Sequence, residues 1–358
     1  MIICIEINQE VKAKLDELMS GGEYRDYSQA VAVAVSNQLL LHGRFTQNGG
    51  SLIVDGTAGT HQSRANIDPA QTTIPTVFAL PHPRDAMKFA PIPGDAFVPC
   101  APVPVDRWIF GQHNKLLPAK ASCRWLANVY DPKGVPLAKA ASDIAASSVE
   151  LGDYLQNLDE KNGLTRDELL ASAFPVKKKD AEGKARLRFA NQFVGSMNKH
   201  GQLSGMLIDL KLVNYVPGKG PRLLLTEPGW RFAAITNPIL DHGADRPPKF
   251  SDGEVAFLLE HIRLHVPAEH CAFRTVAKAL LDGVNTPEKL DEHLAKYLSS
   301  RNEKPFTEAF LTTQRSGVIS RMSDLGLVER QRDGIRVTYV ATQRAVQYIA
   351  NPDAGVNR

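Results

Sequence analysis

Few residues in this chain have the type and spacing to do chemistry. His261 and His265 stand four apart, and His270-Cys271 follow them, so two imidazoles on one helix face and a nearby thiol could approach a metal ion. Pro267 falls between the two groups and should break the helix, and no second spaced Cys or His pair completes a ligand set. Exposed or capping histidines are therefore expected, and no metal. Gly218-x-Gly220 and Gly49-Gly50 lack the Gly-x-x-x-x-Gly-Lys or Gly-x-Gly-x-x-Gly pattern with which backbone amides cradle phosphate. Carboxylates are scattered, and no nucleophile stands out. No catalytic residue, no cofactor and no enzymatic activity are expected. Trp108, Trp125 and Trp230 sit in apolar runs and are read as core.

Local charge is the stronger signal. Between Pro175 and Arg222 there are ten Lys/Arg against three Asp/Glu, a local +7. From Arg301 to Arg344 the surplus is +3, with the basic residues gathered at a prospective helix and the hairpin after it. The whole chain, with 42 Lys+Arg and 39 Asp+Glu, carries only +3. Any nucleic-acid binding must then be local, because the rest of the surface cancels these patches in the sum.

The elements that would position these charges are duplicated. Asp209-Leu210-Lys211-Leu212-Val213 corresponds to Asp324-Leu325-Gly326-Leu327-Val328. Each is preceded by a helix and followed by a strand, a Gly-containing turn and a second strand, Arg222 to Thr226 in one copy and Arg336 to Val340 in the other. Helical segments then follow, Pro228 to Ile235 and Thr342 to Ala350. Upstream, helices are predicted over Ala119 to Tyr130, Leu137 to Ala146, Val149 to Glu160 and Arg188 to Lys199. In the second copy they are predicted over Asp252 to Leu264, Cys271 to Leu281, Pro287 to Ser299 and Thr307 to Thr312.

This helix, hairpin, helix order is the tail of a winged helix-turn-helix. Ser320-Arg321-Met322-Ser323-Asp324-Leu325-Gly326-Leu327-Val328 resembles the corresponding stretch of MarR-type winged-helix regulators, and Leu225-Thr226-Glu227-Pro228-Gly229 resembles the Leu-Thr-x-x-Gly after their wing. The resemblance covers about 40 residues in each copy and implies DNA binding. With Val318, Met322 and Leu325 turned inward at 100° per residue, Thr313, Ser316 and Ser320 face outward and Arg315 and Arg321 lie on opposite borders. Hydroxyls can bond bases or phosphates, and arginine can bond guanine bidentately. Arg330, Arg332 and Arg336 on the wing would meet phosphates. In the first copy the candidate contacts are Lys177, Lys178, Lys179, Lys199, Gln202, Lys219 and Arg222. There Leu203, Leu207 and Leu210 point inward while Gln202, Gly205 and Asp209 point outward, and an outward Asp209 would be repelled by phosphate.

Residues 1–42 form a separate pattern. Ile3, Ile5 and Ile7 alternate along a short strand, a helix follows Asn8 and stops at Gly21-Gly22, and a second helix starts at Ser28 and carries Val31 and Val35. The order resembles the ribbon-helix-helix family, whose members are intertwined dimers, and it implies a homodimer joined through Ile3, Ile5, Ile7, Val31 and Val35. The outward strand residues Ile2, Cys4 and Glu6 lack the donors that base edges need, so dimerisation survives better than DNA reading.

Residues 43–107 read as a Pro/Gly-rich connector, with nine prolines from Pro69 to Pro104. Short apolar stretches such as Thr76 to Leu80 could pack on the body as strands. The fold expected is mainly α with small β wings: the dimerisation element 1–42, the connector, and winged-helix domains 108–240 and 250–350. Four dispersed cysteines and no apolar run near 20 residues predict a cytoplasmic protein with reduced thiols and no membrane partner. The function expected is a homodimeric, double-stranded-DNA-binding transcriptional regulator acting by site occupancy. The alternatives are a plasmid- or phage-type replication initiator, and a non-catalytic winged-helix subunit that holds another protein in a larger complex for phage defence or chromosome handling.

Overall fold

The computed structural model describes residues 73–83, 87–93, 103, 105–164, 168–176, 182–197, 203–216, 220–242, 248–299 and 307–350, and Asp16. The chain divides into Met1–Asp68 and Pro69–Arg358, and every described residue but Asp16 belongs to the second unit. That unit is mainly helical, with a few small antiparallel sheets. No helix among the described residues is long and apolar enough to cross a membrane.

The first half contains helices α1 (Leu117–Asn128), α2 (Leu137–Asn162) and α3 (Glu182–Phe189), the last continued by a π-helical turn, Ala190–Val194. It goes on with α4 (Met206–Asp209), α5 (Glu227–Ala234) and α6 (Pro238–His242). Strands β1 (Val135–Pro136), β4 (Val213–Val216) and β5 (Arg222–Leu225) form a sheet of order β1-β5-β4, and β2 (Ser196–Met197) pairs with β3 (Leu203–Ser204). The second half contains α7 (Asp252–His265), α8 (Pro267–Leu281), α9 (Pro287–Ser299), α10 (Glu308–Asp324), the hairpin β6 (Val328–Asp333) and β7 (Arg336–Ala341), and α11 (Gln343–Ala350).

Several predicted boundaries move. Leu137 to Ala146 and Val149 to Glu160 are one helix, α2, because no Gly or Pro separates them. The predicted helix Arg188 to Lys199 gives way at Val194 to strand β2. Pro267 does end α7, but it also opens α8 at once. Thr76 to Leu80 is not a strand: a single 3-10 turn, Thr76–Phe78, follows Pro75. Phe78 is fully buried, and the Asn128 amide donates to the carbonyls of Val77 and Ala79 at 3.1 and 2.9 Å. Farther on, the Ala90 amide donates to the Leu225 carbonyl at 2.9 Å. Residues 73–83 and 87–93 of the Pro/Gly-rich stretch are thus laid along the body, held by one buried aromatic, worth roughly 2–3 kcal/mol of burial, and by backbone bonds.

The duplication holds at atomic detail. Gly326 (φ 67°) and Lys211 (φ 56°) occupy equivalent left-handed positions after α10 and α4. In the second copy Gly326 N–H donates to Ser323 and Leu327 N–H to Met322; in the first, Lys211 N–H donates to Ile208 and Leu212 N–H to Leu207. This is the paired bonding that closes a helix C-terminus. Thr342 and Thr226 then play one role: each hydroxyl donates back to the left-handed residue's carbonyl, Gly326 at 2.7 Å and Lys211 at 2.9 Å, and accepts from the amide three residues on.

The two copies share one hydrophobic core running from Phe78 to Ala345. Buried charges join them. Lys120 of α1 meets Glu254 of α7 at 2.9 Å with both side chains inaccessible, and its ammonium also donates to the carbonyls of Phe232 and Ile235. Burial pulls Lys120 down to about 8 although Glu254 opposes the shift. Glu254 also completes a capping box with Ser251 at the start of α7. Arg124 holds Asp241 through two bonds of 2.6 Å, and this guanidinium, against the burial that raises it, keeps the Asp241 carboxyl below its usual range. At the other end, the Leu116 amide donates to Asp324 at 3.1 Å. Gly111 and Gly317 touch backbone to backbone: a Cβ on Gly317 would stand 2.3 Å from the Gly111 carbonyl oxygen.

Candidate nucleic-acid interface

Helix α10 starts at Thr307, whose hydroxyl accepts from the Phe310 amide, and packs against α8, α9 and β6. What remains outside is narrow. Thr312, Ser316 and Ser323 are exposed, and Thr313 and Ser320 are half-buried. The Thr313 hydroxyl donates to its own helix, at the Ala309 carbonyl, and Thr312 donates to Asp291 of α9. The outward face is therefore a stripe of small hydroxyls; of the three residues predicted to face outward, Ser316 is exposed and Thr313 and Ser320 are half-buried.

The flanking guanidiniums are not part of that face. Arg321 is fully buried, bonded to both carboxylate oxygens of Glu269 at 2.5 and 3.0 Å and to the His113 carbonyl at 2.7 Å. A guanidinium in a dry ion pair cannot reach a base, so its assignment as a DNA contact is corrected. Arg315, 8% exposed, donates to Asp291 at 2.8 Å and to the Tyr339 hydroxyl at 3.0 Å. Despite burial, these partners raise its pKa, and it too is corrected from reader to strut. Arg222, in the first copy, is held by Asp131 and by the carbonyls of Lys133 and Gly134. These bonds tie β5 to the loop before β1 and take up the guanidinium's donors there.

The hairpin β6–β7 sorts its charges by face. Its register pairs Val328 with Ala341, Arg330 with Tyr339 and Arg332 with Val337 on one face, and Glu329 with Val340, Gln331 with Thr338 and Asp333 with Arg336 on the other. Buried Val328 and Tyr339 turn the first face toward the body, where Arg315 of α10 bonds Tyr339. Arg330 and Arg332 are on that face; both acids are on the opposite one, and so is Arg336, which pairs with Asp333 and does not join the other two arginines. The Arg330 guanidinium stacks over Tyr339, 5.7 Å from the ring centroid. Lys115, which sequence reasoning missed, joins the group. Its ammonium is lowered first by burial and then by neighbouring Lys249 and Arg330, against the pull of Asp324. Asp324 is already engaged by Lys249 at 3.0 Å and by the Leu116 amide. Lys115 and Lys249 come from loops far apart in the chain, so no local charge count could have placed them together.

In the first copy, the helix expected to carry a reading face is only α4, one turn long. Gly205, expected outward, is buried against Gly195, and Asp209 is bonded to His113 at 2.8 Å. Lys177, Lys178, Lys179, Lys199, Gln202 and Lys219 lie outside the described residues, as do Ile3, Ile5, Ile7, Val31 and Val35. The histidines are not simple surface groups. His261 is 3% exposed and bonded through Nε2 to the Leu210 carbonyl, and burial holds it at about 4. His270 bonds the Tyr348 hydroxyl and is likewise lowered, first by burial, to about 4. Among the described residues no group of three or more His, Cys, Asp or Glu is arranged to hold a metal ion. Set against models of protein families, curated proteins and solved structures, the chain matches none of them, and its role rests on the chemistry of its own surface.

Proposed function

We propose that the chain is a homodimeric double-stranded-DNA-binding protein, a transcriptional regulator acting by site occupancy, with α10 and the hairpin β6–β7 serving as groove-side helix and wing of a winged unit. The observation that carries this reading is the segregation of charge on the hairpin. Arg330 and Arg332 share the face turned toward α10, while both acids, Glu329 and Asp333, are on the far side, where Asp333 pairs with Arg336. Lys115 lies at its base beside the Lys249–Asp324 ion pair. Small hydroxyls at Thr312, Ser316 and Ser323 let a phosphate backbone come close without a steric cost. Phosphate contact dominates such a surface, and base discrimination is modest, because Arg315 and Arg321 are spent inside the fold.

The test is fluorescence anisotropy of a labelled duplex titrated at 50 and 200 mM salt. Two wing arginines, Arg330 and Arg332, on phosphates give a log-log salt slope of about −1.8, a loss of roughly 12-fold over that range. The double variant Arg330→Ala, Arg332→Ala should lose binding and flatten the slope, whereas Arg336→Ala, on the face with the acids, should leave both unchanged. Unchanged affinity and slope in the double variant would overturn the assigned surface. Selection of bound genomic fragments separates promoter sites from the short repeats beside an origin that a replication initiator would choose.

A second reading, a non-catalytic subunit that holds another protein, is favoured by a different observation. A cleft of about 750 Å³ lies between α2, α3 and β2, with Leu187 (63% exposed) and Met197 (45%) at its rim. Co-purification of a neighbour-encoded protein that is lost on Leu187→Asp, with no salt-dependent duplex binding, would select it.

A further inference from the structure

The buried charges between α1 and α7 surround a side-chain amide. Asn237, just before α6, is fully buried, as are Lys120 and Glu254. Its amide nitrogen donates to Glu254 Oε1 and Oε2, at 3.2 and 3.0 Å, and to the Lys249 carbonyl at 3.0 Å. The Lys120 ammonium meets the same oxygen, Oε1, at 2.9 Å. An amine and a primary amide are therefore neighbours on one carboxylate. The Phe232 ring, with its centroid 4.8 Å from the Lys120 nitrogen, covers the group on one side.

Each member is set for one part in acyl transfer. The Asn237 carbonyl oxygen accepts from the amides of Ile239 and Leu240, at 3.1 and 3.0 Å, which polarises the amide carbon and stabilises negative charge on that oxygen. Burial takes the Lys120 ammonium down to about 8, so about a tenth of it is free amine at neutral pH, and a desolvated amine is a nucleophile. Glu254 is held in place by the Ser251 amide and hydroxyl, and its carboxylate bridges the two nitrogens between which protons must pass. The residue after Asn237 is Pro238, which has no N–H. Attack by the next backbone nitrogen, the usual fate of an asparagine amide, is closed here. An asparagine that only capped the turn would use its carbonyl and leave its NH2 to water.

We infer that Lys120 and Asn237 join in an isopeptide bond, formed by the folded chain itself with Glu254 as proton carrier. Glu254 takes a proton from the Lys120 ammonium, and the freed amine closes to about 3–3.5 Å of the Asn237 amide carbon and attacks it. The Nζ–Cγ bond forms and the Cγ–Nδ2 bond breaks. Two protons pass in all from Nζ through Glu254 to Nδ2, which leaves as ammonium; nothing is oxidised or reduced. Glu254 belongs to the second copy, so the bond forms only after the two copies have docked, and it then fastens α1 to the segment before α6. Such a bond goes beyond DNA binding and does not depend on it.

The test is the intact mass of the full chain, measured after denaturation and followed by peptide mapping. The wild-type protein should weigh about 17 Da less than its sequence, the mass of one ammonia, and its digest should contain a branched peptide joining Lys120 to Asn237. Asn237→Ala, which leaves the Lys120–Glu254 pair intact, and Glu254→Gln should each keep the full mass of their sequence. Both should also run more slowly on a denaturing gel than the wild-type chain, which the bond holds in a loop. A wild-type chain that is folded by circular dichroism and has its full sequence mass overturns the bond, whether or not the variants fold. The same mass loss mapped to a succinimide at Asn48-Gly49, or persisting in Asn237→Ala, overturns it as well.

Discussion

Arg321 shows how a residue can be read correctly in type and wrongly in place. Its helix position put it on the border of the outward face, next to Ser320, where a guanidinium would suit guanine. In the fold it is inaccessible and closes on Glu269 of α8. The helical period of α10 reports only which way each side chain leaves its own axis. It contains nothing about an acid 52 residues upstream that comes to meet it. Arg315 was displaced for the same reason, by Asp291. Ser316 stays exposed, where periodicity put it. Removing one half of a buried pair leaves the other charge dry, so Arg321→Ala should cost about 3–5 kcal/mol in urea denaturation. The paired replacement Arg321→Met with Glu269→Leu should recover most of that loss. If Arg321→Ala instead kept full stability and reduced duplex binding, the buried assignment would be wrong.

Elements were more legible than residues where local punctuation marks them. The two hairpins and the helices that follow them were visible because Gly326, Thr342, Thr226 and Pro228 act on their immediate neighbours: a left-handed stop, a cap, a first-turn proline. Elements whose shape depends on distant packing were not visible. The helix expected to carry the reading face of the first copy shrinks to the single turn α4, and the stretch around Phe78 becomes a 3-10 turn pressed on α1. The equivalent turns of the two copies give a direct test of the repeat. Gly326 adopts φ 67° where an L side chain is disfavoured, and Gly326→Ala should destabilise the chain by about 1–2 kcal/mol in the same denaturation experiment. No change would mean that the turn after α10 relaxes out of the left-handed region.

At the scale of the whole molecule, two copies were expected as two winged-helix domains, 108–240 and 250–350. In the structure they share a continuous core and are tied by Lys120–Glu254 and by the Arg321 bond to the His113 carbonyl. A division at about residue 245 would expose apolar surface and strand buried charges on both sides. Unfolding of residues 105–350 should therefore be a single transition. The three tryptophans, Trp108, Trp125 and Trp230, all lie in the first copy, so their fluorescence reports that half, whereas far-ultraviolet circular dichroism reports both. Coincident urea midpoints are expected, and midpoints well separated between the two probes would show that the copies unfold independently.

The bond between the Leu116 amide and Asp324 has a consequence during synthesis. Its two ends are 208 residues apart. At about 5–20 residues per second a ribosome takes roughly 10–40 s to cover that distance. During that interval Lys120, Arg124 and Leu116 are made before the acids that complete them, Glu254, Asp241 and Asp324. The core shared by the two copies therefore closes only once synthesis has passed Asp324, and until then part of its apolar surface stays open to water.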